Sequence, residues 1–196
     1  MHVITGLANS IAHFFVKNGW GRDEKYEIYR YGCEVILSAL ITIILVAVCG
    51  LLFQMEGAAF LFYITFLILR RYCGGYHAGT YLKCNMIFTV TMLLVLFGIM
   101  QCEKIPILVL VITACFSFLV IATLSPITHK DKPLTESEAQ LYRKIAISIS
   151  GVLLSLVAFL LRIDRNIATI ITLAMLVTAS AMLVSVAMGR REKNER

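Results

Sequence analysis

Residues 70–84 read Arg-Arg-Tyr-Cys-Gly-Gly-Tyr-His-Ala-Gly-Thr-Tyr-Leu-Lys-Cys and lie between two apolar segments. A thiol and an imidazole placed near lipid are costly unless something satisfies or uses them. Together, His77 and Cys84 supply the base and the nucleophile of thiol-based acyl transfer. Cysteine attacks as thiolate, a form that neighbouring cations favour. Arg70, Arg71 and Lys83 carry positive charge in the same stretch. On one continuous helix the two positions would share a face yet stand about 10.5 Å apart along the axis. Proton transfer needs a contact of about 3 Å. Gly79 falls between them and permits a break, so residues 77–84 are expected not to form one straight helix.

Each of these residues also has a plainer reading. A histidine in a loop is commonly only a polar side chain, and a cysteine among apolar residues is commonly packing. Cys73, His77, Cys84 and the remote His129 could instead ligate a metal. Neither a close Cys-x-x-Cys pair nor a His-Glu-x-x-His helix is present, however, so no metal or other cofactor is expected. Cys33, Cys49, Cys102 and Cys115 read as structural. Residue types and spacing alone leave catalysis and packing both open.

The elements that must carry these residues are hydrophobic. Of 196 residues, 59% are apolar and 15% charged, against about 25% charged in a soluble domain. Apolar runs of roughly 15 to 22 residues recur, and a helical bilayer span needs about 20. The expected fold is all-α: one polytopic membrane domain over residues 1–196, with spans at 35–53, 57–69, 86–100, 105–124, 145–161 and 167–188. The runs lack the alternation of a membrane β-barrel. Residues 1–34 form an interfacial and cytoplasmic segment, 35–188 the bundle, and 189–196 a tail. Within residues 4–15, Ile4, Leu7, Ala8, Ile11, Phe14 and Phe15 share one helical face, the pattern of a helix lying in the membrane interface. Residues 1–20 show no basic n-region and no small-residue cleavage site, so no cleavable signal peptide is expected. The spans 57–69 and 86–100 are short. Residues 57–71 make about 22 Å of helix against a hydrocarbon core of about 30 Å. A glycine-containing loop dipping below the membrane surface, shielded by protein, would reconcile the two and place His77 and Cys84 in a recess.

Charge sets the expected orientation. Fifteen of the 18 Lys and Arg residues fall in the N-terminal segment, the connections 70–85 and 125–144, and the tail. Only Lys104, Arg162 and Arg165 lie in the short connections. By the positive-inside rule both termini and both long connections face the cytoplasm. The net charge of +6 thus reads as topology, and no nucleic-acid partner is expected. Six cysteines, two of them inside apolar spans, do not resemble a secreted disulfide framework. Small residues on the last span (Ala174, Ala179, Ser180, Ala181, Ser185) suggest helix association and a possible homodimer.

Arg70, Gly74-Gly75-Tyr76-His77 and Cys84, between short spans of a roughly 200-residue polytopic chain, resemble the accessory gene regulator B (AgrB) family of bacterial membrane peptidases. The amphipathic N-terminus also resembles that family. So does the loop Ser125-Pro126-Ile127-Thr128-His129-Lys130-Asp131-Lys132-Pro133-Leu134, followed by Glu138 and Arg143. The resemblance implies a cysteine endopeptidase of the bacterial cytoplasmic membrane that matures a quorum-sensing precursor peptide. Cys84 would be the nucleophile and His77 the general base. The product would be a thiolactone or lactone ring. Lys130, Lys132, Arg143 and Lys144 would hold an acidic substrate tail, with Arg70 and Arg71 near its cleavage point, or all of them merely set topology. Asn85, Thr80 and Glu138 are the candidates for orienting His77. The rival readings are a small peptide transporter, which needs polar groups inside several spans, and a non-catalytic membrane scaffold.

Overall fold

The computed structural model describes residues 2–74, 80–127 and 135–194. Among these residues seven α-helices follow in chain order: α1 His2–Lys17, α2 Tyr26–Phe53, α3 Glu56–Cys73, α4 Tyr81–Met100, α5 Ile107–Leu124, α6 Glu136–Leu160 and α7 Arg165–Asn194. No strand occurs among the described residues, although Gly74 and Ile127 form an isolated parallel bridge. The all-helical reading therefore holds. α2, α4, α5, α6 and α7 are long and apolar enough to cross a membrane. The remaining expected span, 57–69, corresponds to α3, whose 18 residues include Glu56 at one end and Arg70 and Arg71 at the other. Those charges suit the helix dipole, with acid in the first turn and base in the last.

Two core clusters place α3 in the bundle. One core cluster joins Val46 and Cys49 of α2, Ala59 and Phe62 of α3, Met92, Val95, Leu96 and Ile99 of α4, and Ile170 and Ala174 of α7. A second joins Leu69 and Cys73 of α3 to Ala114 and Ile121 of α5, Ala146 and Val157 of α6, and Ala168, Ile171, Met175 and Met182 of α7. Helices α3 and α7 are thus the shared wall between an α2/α4 half and an α5/α6 half. α7 presents residues 170 and 174 to one half and 168, 171, 175 and 182 to the other, two faces of a 3.6-residue period. Ala174 and Ala179, read from sequence as association sites between copies, are fully buried inside this bundle. The large apolar side chains left exposed on α2, α4 and α5, among them Ile44, Leu52, Leu94, Phe97, Leu108 and Leu119, suit a hydrocarbon surround.

Most helices extend beyond the apolar runs. α4 begins at Tyr81 instead of residue 86, which gives it 20 residues and about 30 Å. It is long enough to span without thinning the bilayer. α6 begins at Glu136, nine residues before the expected span. Its start is fixed by a capping box: the Thr135 side chain accepts from the Glu138 N–H, and the Glu138 carboxylate accepts from the Thr135 N–H at 3.0 Å. α1 packs on the start of α2 through Ala8 and Ala12, both fully buried, while Leu7, Phe14 and Phe15 stay exposed. The apolar face is therefore split: the small residues go to α2, and the large ones remain outside.

Candidate active site

The C-terminal ends of α3 and α5 and the N-terminal ends of α4 and α6 meet at one end of the bundle. Tyr72 of α3 stacks edge-on against Tyr142 of α6, with ring centroids 5.7 Å apart. The Ile127 N–H, three residues past α5, donates to Cys73 O at 2.9 Å. Gly74 sits beside Ile127 with φ +71° and ψ −150°, a conformation essentially confined to glycine. A Cβ at Gly74 would also drive into the Ile127 carbonyl oxygen. Both long connections are therefore joined where they leave the bundle.

Cys84 is in the first turn of α4, not in a loop. Thr80 is the N-cap, and its side chain accepts from the Lys83 N–H at 3.3 Å. The Cys84 N–H then makes the opening helical bond to Thr80 O at 3.1 Å. This local structure follows from a threonine set immediately before a helix-forming run. Cys84 is half-buried. Its neighbour Asn85 is buried and meets the Thr42 hydroxyl of α2 at 3.3 Å. Thr42 is the seventeenth residue of α2 and Asn85 the fifth of α4. At about 1.5 Å per residue, α2 begins roughly 18 Å further out than α4. The thiol is thus set back from the tip of α2.

Arg70 lies in the last turn of α3, past its apolar stretch, and donates from Nη1 to Gly74 O at 3.3 Å. Burial pulls its guanidinium below the ordinary value, while Cys84 and then Cys73 pull it back up through their charge. The two thiols are not equivalent. Cys73 is fully buried, and burial pushes it up to about 12, partly offset by Arg70. A thiol held neutral and sealed from solvent is a poor nucleophile. Cys84 has the exposure that Cys73 lacks, and it sits at a helix N-terminus, where the backbone dipole adds positive potential.

The remaining expected site residues divide into two groups. His77, Lys130 and Lys132 lie outside the described residues, as does His129. Arg71, Arg143 and Lys144 are exposed. Of the candidates for orienting His77, Thr80 caps α4, Glu138 closes the α6 capping box and Asn85 meets Thr42. Sequence reasoning missed Thr42, Tyr142 and the contact of Ile127 with Cys73, none of which carries a local signal. No group of three or more potential metal ligands occurs among the described residues.

The family model of accessory gene regulator B matches residues 8–185 of the chain. The protein belongs to the AgrB family. It is 30% identical over 135 residues to an AgrB-like protein of Clostridium perfringens (strain SM101 / Type A), an alignment covering 65% of this chain and 63% of that protein. It is 28% identical, with the same coverage, to AgrB-like protein 2 of Clostridium perfringens (strain 13 / Type A). The similarity thus spans somewhat under two thirds of those relatives' length. No solved structure matches the chain. AgrB membership and five helices able to cross a bilayer make this a multi-pass membrane protein.

Proposed function

We propose that this AgrB-family chain acts in an agr quorum-sensing system as a membrane cysteine endopeptidase that cleaves and cyclises a precursor peptide. The observation that carries this reading is the half-buried Cys84 at the start of α4, set back from the tip of α2. In the proposed reaction the Cys84 sulfur attacks the carbonyl carbon of the scissile amide. His77 takes the thiol proton and delivers it to the departing amine, so the C–N bond breaks and the tail leaves. The thioester that remains is attacked by an internal thiol or hydroxyl of the substrate. The ring closes, the Cys84 C–S bond breaks and the sulfur recovers its proton. Every atom and electron balances without a cofactor. Thioester exchange to a thiolactone conserves the bond type, and exclusion of water prevents hydrolysis of the intermediate. The substrate nucleophile, tethered nearby, gains a high effective concentration.

In this reading both termini and both long connections face the cytoplasm, and Arg71, Lys130 and Lys132 draw in an acidic substrate tail. The transporter alternative finds little support in the last span. The buried Thr169, Thr172 and Thr178 hydroxyls donate to their own helix at Arg165 O, Ala168 O and Ala174 O, which leaves these three hydroxyls no proton for a substrate path. Co-expression with a candidate precursor, followed by mass analysis of the released tail and of the acyl-enzyme, tests the proposal. A tail that is still released by Cys84→Ser protein would refute it.

A further inference from the structure

We infer that the face of α2 outward of Cys84, formed by Ile28, Tyr31 and Val35, seats apolar side chains of the precursor peptide on the acyl side of its scissile bond. This rests on the assignment of Cys84 as nucleophile and adds what the peptide must carry beside the cleavage point. The register of two helices supports it. Thr42 of α2 meets Asn85 of α4 at 3.3 Å, so these positions lie level. Both helices run in the same direction, because Val46 and Cys49 deeper in α2 share one core cluster with Met92, Val95 and Leu96 deeper in α4. α4 begins at Tyr81, four residues before the contact, and so reaches about 6 Å further out. α2 begins at Tyr26, sixteen residues before it, and continues for about 24 Å. Positions 28, 31, 35, 38 and 42 follow the spacing of one helix face. The face that holds Asn85 therefore runs on through Ser38, Val35, Tyr31 and Ile28, past the point where α4 starts.

That outer stretch is uncovered among the described residues. Val35, Tyr31 and Ile28 are 43%, 63% and 65% exposed. α1 packs behind it: Tyr26, about 160° round the helix from Thr42, aims its hydroxyl at Asn9 O and Oδ1 at 3.5 and 3.4 Å. Acyl chains suit Val35, where the apolar run starts, but Tyr31 and Ile28 precede Glu34 and lie outside that run. An apolar wall that continues a packed interface and leads to a half-buried thiol fits a peptide segment entering in line with α2. Distance selects the peptide residues. Cys84 is level with Ile41, so Val35 stands about 9 Å outward and Tyr31 about 15 Å. An extended chain covers about 3.3 Å per residue, which brings the third residue before the scissile bond to Val35 and the fifth to Tyr31. These two share one face of an extended chain, whereas the second and fourth face away. The acidic tail departs from the other side of the bond, which leaves the acyl side for the wall.

The test measures Cys84 labelling by peptide chloromethyl ketones on the full-length protein in lipid nanodiscs, read by peptide mass spectrometry. The sulfur bonds to the methylene carbon as chloride leaves, and the thiol proton passes to solvent. Acetyl-Phe-Gly-Phe-Gly-Gly chloromethyl ketone carries aromatic side chains at the third and fifth residues. Acetyl-Gly-Phe-Gly-Phe-Gly chloromethyl ketone has the same composition, and hence the same partition into lipid, with the rings at the second and fourth. The first should label Cys84 at least about fivefold faster than the second. Tyr31→Glu should bring the two rates within about twofold of each other, while iodoacetamide, which carries no peptide, should label wild type and variant alike. Equal rates in the wild type would reduce the effect to lipid partition and overturn the inference, as would a preference that survives Tyr31→Glu. A wild-type dimer that Tyr31→Glu dissociates would assign the wall to a second copy and overturn it too. Should Tyr31→Glu fail to fold, Tyr31→Ala and Val35→Ala replace it; a reduced preference is expected in each, and an undiminished one is fatal. A protein that keeps the preference yet leaves its candidate precursor uncut ends the peptidase reading alone. A protein that releases the tail but shows no preference ends this inference alone.

Discussion

The Thr42 hydroxyl of α2 shares its one proton between Ser38 O at 2.9 Å and the side-chain oxygen of Asn85 at 3.3 Å, one residue beyond Cys84. This polar contact ties the first turn of α4 to the middle of α2 in an otherwise apolar interface. Asn85 is buried, so deleting its amide removes the contact and leaves a polar gap. Asn85→Ala and Thr42→Val are each expected to cost about 1 kcal/mol of stability. Both should also slow precursor cleavage, because the turn that carries Cys84 loses its lateral anchor. Thermal unfolding in detergent and tail-release kinetics measure the two effects. Because the two variants break one shared contact, their combination should be clearly less than additive.

Cys73 and Cys84 give opposite expectations. Cys84→Ser should abolish tail release, whereas Cys73→Ala should retain most of it, since a sealed and neutral thiol takes no part in acyl transfer. Short alkylation of the wild-type protein at neutral pH should mark Cys84 and spare Cys73. Peptide mapping reads the result directly, and equal labelling of both thiols contradicts the assignment.

Cys73 also predicts a pH dependence of stability. Burial raises the folded-state thiol from its ordinary value of 9.0 to about 12. The folded chain therefore holds the proton more tightly than the unfolded chain does. The contribution is fully present below about pH 9 and is lost as pH rises towards about 12. Wild-type stability should fall across that window, and Cys73→Ala should flatten the fall even if it lowers stability by a constant amount. Unfolding midpoints at a series of alkaline pH values measure the slope. An unchanged slope in the variant would show that Cys73 is not its source.

These expectations depend on features that were unequally legible in the sequence. The apolar runs showed the spans because hydropathy is a local property that the bilayer reads directly. Helix ends were less legible. The Thr135 to Glu138 capping box was visible as a motif, yet the polar stretch 136–144 masked the helix it begins. Thr80 is likewise a threonine set before a helix-forming run, but the glycines at 74, 75 and 79 read as a break that extends to residue 84. The pairing of Ile127 with Cys73, and of Thr42 with Asn85, joins residues far apart in the chain. No local periodicity reports such contacts, because packing of whole helices decides them. Cys84 is legible from its residue type and neighbourhood, whereas its half-exposed place in the first turn of α4 emerges only from the fold.

The α6 capping box carries its own prediction. Thr135→Ala removes the acceptor for the Glu138 N–H and the hydroxyl that donates to the Glu138 carboxylate at 2.8 Å. Loss of such a cap costs about 1 kcal/mol. The effect should concentrate in the first turns of α6, around Tyr142 and its stacking with Tyr72. Faster amide exchange confined to residues 136–142, with the later part of α6 unchanged, is the expected pattern. Thr135→Ser should restore protection.

The last prediction concerns α1. Trp20 is the chain's single tryptophan, and it is 69% exposed. Its ring meets Phe14 and Phe15 edge-on at centroid distances of 5.9 and 5.7 Å, so three aromatic side chains project together from the end of α1. The buried Ala8 and Ala12 already occupy the face towards α2, which leaves this aromatic group nothing among the described residues to cover it. Indole rings with one apolar and one polar side partition to the headgroup boundary. In bilayers the Trp20 emission should lie to the blue of its position in denaturant. Lipids brominated near the headgroup end of the acyl chain should quench it more strongly than lipids brominated near the terminal methyl. Emission at the fully aqueous wavelength, untouched by either lipid, would place α1 in solution and remove its role as an interfacial helix.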